Sequence, residues 1–168
     1  MRSYLKSGEL DVSCLSLGTM TNLPNQDWEE KLKLYEMANE FGINSFDTAP
    51  HYLNGVSEQF LGKLLGRIQR EKAFVSSKVF YNHKESGSYT GLSKEHILKT
   101  VDVSLRNLNT EYIDVLYFHR FDKDVNLHES IKTVSELIKE GKVKSWGVCG
   151  FNEGQVVDAY HIGNIYGL

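Results

Sequence analysis

The stretch Ser93-Lys-Glu-His-Ile-Leu-Lys-Thr-Val-Asp-Val-Ser-Leu-Arg-Asn-Leu108, followed after four intervening residues by Ile113-Asp-Val-Leu-Tyr-Phe-His119, carries two different hydrophobic periods. In its first part Ile97, Val101, Leu105 and Leu108 recur at spacings of four, four and three, which is one face of an α-helix. Ser93 offers an N-cap oxygen and Glu95 an acidic first turn. The second part is a short, continuous apolar run of the kind found in strands buried on both faces. This pairing recurs along the chain. The runs Cys14–Gly18, Ile43–Asp47, Phe74–Phe80 and Val143–Val148 also read as strands. Helical periods cover Trp28–Phe41, Ser57–Leu65 with Ser57 as candidate N-cap, and Leu127–Glu140, and Asn152 can cap a fifth helix. Ahead of them, Tyr4–Ser13 reads as a hairpin turning near Ser7-Gly8. Five β/α units imply parallel strands joined by right-handed crossovers. An open doubly wound sheet and a barrel both satisfy that pattern. The absence of G-x-G-x-x-G after any strand weighs against the dinucleotide-binding open sheet.

Composition narrows the function. The chain has 168 residues, 40% of them hydrophobic and 24% charged, enough for one real core without a Pro/Gly/Ser linker to divide it. With 14 Gly and 2 Pro it is neither collagen-like nor low-complexity. Nineteen basic against 22 acidic residues give a net charge of −3, so no basic excess points to nucleic acid or an anionic membrane. Cys14 and Cys149 lie far apart, outside any C-x-x-C pattern, which suits a reducing, cytoplasmic setting. The first residues lack an apolar signal core, and no run approaches the ~18 apolar residues of a membrane helix. Six histidines are scattered with no metal-ligand spacing, so no metal site is expected.

In a parallel α/β fold the C-terminal ends of the strands converge on one mouth. Asp47 ends the second strand, Lys78 lies near the end of the third, and His119 ends the fourth. Tyr52 follows Asp47 by five residues. Each has an ordinary reading. Asp47 can close an Asx turn, Tyr52 can pack on the next helix, Lys78 can snorkel from the strand end, and His119 can be a hydrogen-bonded core residue. Their joint placement is what suggests proton transfer, because a carboxylate, a phenol, an ammonium and an imidazole would share one opening.

Several stretches resemble the aldo-keto reductases. They are Val12-Ser-Cys-Leu-Ser-Leu-Gly-Thr19, Phe46-Asp-Thr-Ala-Pro-His-Tyr52, Gly55-Val-Ser-Glu-Gln-Phe-Leu-Gly62, Tyr112-Ile-Asp-Val-Leu-Tyr-Phe-His119 and Glu140-Gly-Lys-Val-Lys-Ser-Trp-Gly147. The helix Leu92–Leu108 is similar too. The flavour is that of the branch containing the voltage-gated potassium-channel β-subunits, and the resemblance runs over essentially the whole chain. It implies a (β/α)₈ TIM-barrel fold with an N-terminal hairpin, here cut to about five units, so that residues 1–168 form a single partial reductase domain. It implies NADPH-dependent reduction of aldehydes or ketones, with Asp47, Tyr52, Lys78 and His119 as the catalytic tetrad. An unassisted phenol is a reluctant acid near neutrality. The Lys78 ammonium would favour the phenolate, Asp47 would hold Lys78, and His119 would orient the carbonyl oxygen. By position, Thr19, Met20, Gln26 and Asp47 are expected at the NADP(H) nicotinamide end. Cys149 and Gly150 stand where the family usually places Ser-Asn or Ser-Arg on the carboxamide, and their side chains are poor donors.

A complete barrel needs about 250 residues, so strands six to eight, with the loops that grip the adenosine 2′-phosphate, are expected to lie beyond this sequence. Loss of two charge-assisted hydrogen bonds of roughly 1.5–3 kcal/mol each would weaken cofactor binding by about 10²–10⁴-fold. An open five-strand piece exposes two edges, and two copies would supply ten strands rather than eight. The 168-residue chain is therefore expected to associate or to be poorly soluble. The alternatives to an active reductase are a slow or non-catalytic, channel-β-like regulatory subunit and an inactive fragment. Expected partners are a small carbonyl substrate and a homo-oligomeric or membrane-channel partner. The segment 81–90 is the candidate substrate-facing loop.

Overall fold

A computed structural model of the chain describes residues 4–7, 10–20, 27–81 and 90–168. Strands β1 (Tyr4–Ser7) and β2 (Leu10–Ser13) pair antiparallel, with Ser7 opposite Leu10, and the two residues between them lie outside the described ones. Five parallel strands follow: β3 (Ser16–Gly18), β4 (Ser45–Asp47), β5 (Phe74–Val79), β6 (Ile113–Phe118) and β7 (Val143–Val148). The helices are α1 (Trp28–Glu40), α2 (Val56–Leu65), α3 (Lys94–Leu108), α4 (Leu127–Lys139) and α5 (Glu153–Ile165).

Strand order settles the choice left open by periodicity. The sheet runs β3-β4-β5-β6-β7 in sequence order. A doubly wound sheet reverses direction at a switch point. An unreversed order with right-handed crossovers puts every helix on the same face, which is the wall of a (β/α) barrel. Between that wall and the helices lie two apolar clusters. One gathers Leu32, Tyr35, Phe46, Phe60, Leu61, Leu64 and Val75. The other gathers Val79, Ile97, Val101, Leu116, Phe118, Ile131 and Leu137.

The opposite, inner face of the sheet is largely polar. Because side chains alternate along a strand, Phe46, Val75 and Val79 turned to the helices leave Ser45, Asp47, Ser76 and Lys78 inward. Ser45 Oγ donates to Ser16 Oγ at 3.0 Å, and Ser145 Oγ donates to the Asp114 carbonyl at 2.7 Å. Gly147 leaves room for Tyr117: a Cβ there would lie 2.6 Å from the ring. At the N-terminal end of the wall, Arg70 donates to Ala73 O, Tyr112 O and Asp114 Oδ2 at 2.8–2.9 Å. Asp114 Oδ2 also accepts the Val75 N–H at 3.0 Å. That clamp ties β5 to β6 at the end remote from the candidate site.

Of three expected helix caps, two are present and one is not. Ser93 caps α3 by accepting the His96 N–H at 3.3 Å, and Asn152 forms a full capping box with Gln155. Ser57 does not cap α2. Gly55, at φ +89°, takes that position, and Ser57 Oγ donates instead to the Thr19 carbonyl at 3.0 Å. The hydroxyl thus fastens α2 to the end of β3.

Candidate active site

Asp47 closes β4 and Lys78 lies one residue from the end of β5, both on the inner face. Lys78 Nζ donates to Asp47 Oδ2 at 2.7 Å and to the Thr48 carbonyl at 2.8 Å. Ser76 Oγ donates to the other carboxylate oxygen at 2.8 Å. Lys78 is only 7% exposed. An ammonium that deep is tolerable because a carboxylate and a carbonyl replace its water.

The Lys78 Nζ also sits 4.8 Å from the centroid of the Tyr52 ring, within the range of a cation–π contact. Local backbone explains how Tyr52 comes there. The Tyr52 N–H donates to Ala49 O at 3.1 Å, and Leu53 and Asn54 adopt φ of 50° and 54° before Gly55 at 89°. Left-handed leucine is costly. Three such residues in a row reverse the chain within one turn and hold Tyr52 beside the end of β5.

The His119 N–H donates to Val79 O at 3.0 Å, extending the ladder one residue past β6. Its ring lies 6.2 Å from that of Tyr52. The structure adds two aromatic neighbours, His51, to which sequence reading gave no role, and Tyr81, the first residue of the expected substrate-facing loop. His51 is 4.7 Å from Tyr52, 5.0 Å from His119 and 4.8 Å from Tyr81, and Tyr81 is 5.2 Å from His119. Burial, reinforced by the Lys78 ammonium, holds His51 below its ordinary range. Burial, then Lys78, His51 and Arg120, push His119 down to about 4. Both imidazoles are therefore neutral at pH 7, each with one N–H to donate.

The residues expected around a cofactor divide into groups. Thr19 is wholly buried, its Oγ1 lying 2.9 Å from Thr48 Oγ1 and 3.2 Å from Asp47 O. Met20 beside it is exposed. Cys149 and Gly150 continue β7, the Cys149 N–H donating to Phe118 O at 2.8 Å, and the Cys149 thiol is free and exposed. Gln26 and most of the 81–90 loop lie outside the described residues. A nicotinamide-ribose group fits this surface on one count. Gly18 pairs with Asp47 in register, and a Cβ on Gly18 would meet nothing within 4 Å. There is open room beside a carboxylate whose side chain is 34% exposed.

Behind the site lies Glu58, a fully buried carboxyl on α2 that sequence reading left unremarked. It accepts from Ser77 Oγ at 2.8 Å and Asn107 Nδ2 at 3.1 Å, joining α2, β5 and α3. Burial pushes its carboxyl above the usual range. The pattern Gly55-Val-Ser-Glu58 was visible in the sequence, but nothing local marks a helix carboxylate as facing inward. Among the described residues no group of three or more His, Cys, Asp or Glu is placed to hold a metal ion, and no helix is long and apolar enough to cross a membrane.

The sequence pattern of the aldo/keto reductase family matches residues 14–164. A Schizosaccharomyces pombe protein described as a voltage-gated potassium channel subunit beta is 34% identical over 170 residues, covering 98% of this chain and 49% of the relative. The crystal structure of a thermostable aldo-keto reductase in complex with the inhibitor epalrestat superposes with a TM-score of 0.80 at 24% identity. That superposition covers 96% of this chain and 58% of the other, and it speaks for the fold alone. The chain thus spans about half the length of the relatives it matches. With a five-stranded barrel wall and a family match over most of its residues, the chain belongs to the aldo/keto reductase family.

Proposed function

We propose that this chain supplies the catalytic tetrad of an NADPH-dependent reductase of aldehydes or ketones, with Tyr52 as the proton donor. The observation that carries the reading is one buried ammonium, Lys78, bonded to Asp47 at 2.7 Å and lying 4.8 Å from the Tyr52 ring. Hydride to the carbonyl carbon is the chemistry that a bound nicotinamide cofactor supplies. The exposed edge of Asp47, the Met20 side chain, Cys149 and the Gly150 backbone would hold its nicotinamide end, with Gln26 by resemblance, while buried Thr19, bonded to Asp47 O through its N–H and to Ser57 through its carbonyl, supports Asp47 from behind. As the carbonyl oxygen gains charge, the Tyr52 hydroxyl gives it a proton. The Lys78 ammonium then faces the resulting phenolate, while Asp47 holds the ammonium in place. Neutral His119 donates one hydrogen bond to the same oxygen and fixes its direction.

The description of the fission-yeast relative favours a second reading, a regulatory channel-associated subunit in which the same site binds cofactor but turns over slowly. A cytoplasmic location and a homo-oligomeric or channel partner belong to that reading. Tyr52→Phe separates the two. Carbonyl reduction should fall by about 10²–10⁴-fold while quenching of protein fluorescence by NADPH persists. A variant that reduces carbonyls at the wild-type rate would remove Tyr52 from the mechanism. A partner-binding effect that survives the substitution would favour the regulator.

A further inference from the structure

We propose that Arg120 is a specificity-determining residue, forming an anion subsite beside the carbonyl position that selects substrates bearing a carboxylate. The proposal rests on the reductase reading for where the carbonyl sits.

Arg120 follows His119 directly at the mouth and is exposed. Its Nε donates to the Tyr81 hydroxyl at 3.0 Å, and the Tyr81 ring is 5.2 Å from that of His119. One hydrogen bond of the guanidinium is thus spent on orientation, leaving the paired Nη groups as donors. Gly150 makes this placement possible. At φ +65°, a Cβ on it would lie 3.1 Å from Arg120 Cδ and 3.3 Å from Nη1. The arginine therefore lies across the position where a side chain from the end of β7 would otherwise stand.

The neighbouring carboxylates are committed elsewhere. Asp122 accepts the N–H groups of Leu92 and Asp124, and Asp47 is taken by Ser76 and Lys78. Among the described residues, none forms an ion pair with Arg120. Among the described residues the mouth thus combines two neutral imidazoles with a planar cation that has no carboxylate partner. A fork of two parallel N–H groups matches a carboxylate in geometry as well as charge. Tyr81 touches both groups, its ring 5.2 Å from His119 and its hydroxyl accepting from Arg120, which places imidazole and guanidinium in one neighbourhood at the mouth.

The test compares 4-carboxybenzaldehyde with 4-nitrobenzaldehyde, a neutral group of nearly the same shape, in the NADPH-loaded protein. We expect the carboxylate to be preferred in kcat/KM, and the ratio of the two values to fall by about 10- to 100-fold in Arg120→Gln. Arg120→Lys should restore part of it. Equal use of both aldehydes would overturn the proposal. So would an Arg120→Gln variant that raises the KM for NADPH and leaves the ratio unchanged, which would assign the guanidinium to the cofactor. If neither aldehyde is reduced, the reductase reading fails and binding decides the subsite. Saturation transfer to 4-carboxybenzyl alcohol but not 4-nitrobenzyl alcohol, lost in Arg120→Gln, would uphold it. No transfer to either alcohol, or equal transfer to both, would overturn it.

Discussion

His119 and His51 are held neutral first by burial and then by the Lys78 ammonium beside Tyr52, and this has a measurable cost in acid. With His119 near 4 in the folded chain against an ordinary 6.5, the unfolded chain binds more protons between those values. The stability this group contributes is therefore present above about 6.5 and is lost as pH falls toward 4; His51, shifted the same way, adds to the loss. Glu58, shifted upward, acts in the opposite sense, its contribution being lost as pH rises through its folded value. Urea midpoints measured from pH 7.5 down to 4.5 should fall, and the fall should shrink when His119 and His51 are both replaced by Gln. An unchanged slope would show that neither ring is held neutral by the fold. For an active holoenzyme, His119 should contribute no limb to the kcat/KM profile near pH 6.5.

Between elements, the site depends on contacts that fix where β5 stands. The Arg70 clamp holds the start of β5 to β6, and Glu58 holds its middle to α2 and α3. Gly62 lets α2 and α3 meet backbone to backbone: a Cβ there would collide with the Asn107 carbonyl oxygen and lie 2.9 Å from the Leu108 carbonyl carbon. Arg70→Met should destabilise the chain by about 3–5 kcal/mol, because Asp114 would be left as a buried charge without its cation. Denaturant unfolding measures this, and a loss below about 1 kcal/mol would mean that water replaces the guanidinium. None of these contacts is periodic in sequence. Arg70 and Asp114 are 44 residues apart, and Ser77 and Glu58 are 19. Strand and helix identities were legible because each follows from a local hydrophobic period. The clamp and the buried carboxylate were not, because their partners come from other units.

At the scale of the molecule, the expectation of association acquires a location. The inner face of the wall carries Ser16, Ser45, Asp47, Ser76, Lys78 and Ser145 beside Val115 and Tyr117, so it is mostly polar. Apolar exposure is concentrated on the flanks. Leu34 and Met37 on α1 and Phe41 just past its end stand three and four residues apart and are exposed, and on α5 so are Val156, Val157, Tyr160 and Ile165. These helices adjoin the strands that edge the described sheet, β3 and β7. Sedimentation velocity on the 168-residue chain should show concentration-dependent association, and Met37→Glu with Tyr160→Lys should shift it toward monomer. A cooperative, monomeric melt of the unaltered chain would refute this.

The succession of strands and helices along the chain, the placement of Asp47 and Lys78 at strand ends, and the exit of His119 from β6 were determined by the sequence alone, since period and position along a strand are local properties. So was membership in the family, carried by short contiguous motifs. Only the tertiary structure decided that Ser57 ties α2 to β3 rather than capping it, and that Thr19 is buried. It alone placed His51 and Tyr81 against His119 and laid Arg120 across Gly150. Each of these depends on which side chain from another β/α unit fills the neighbouring space. That is set by packing across the sheet and not by any interval along the chain.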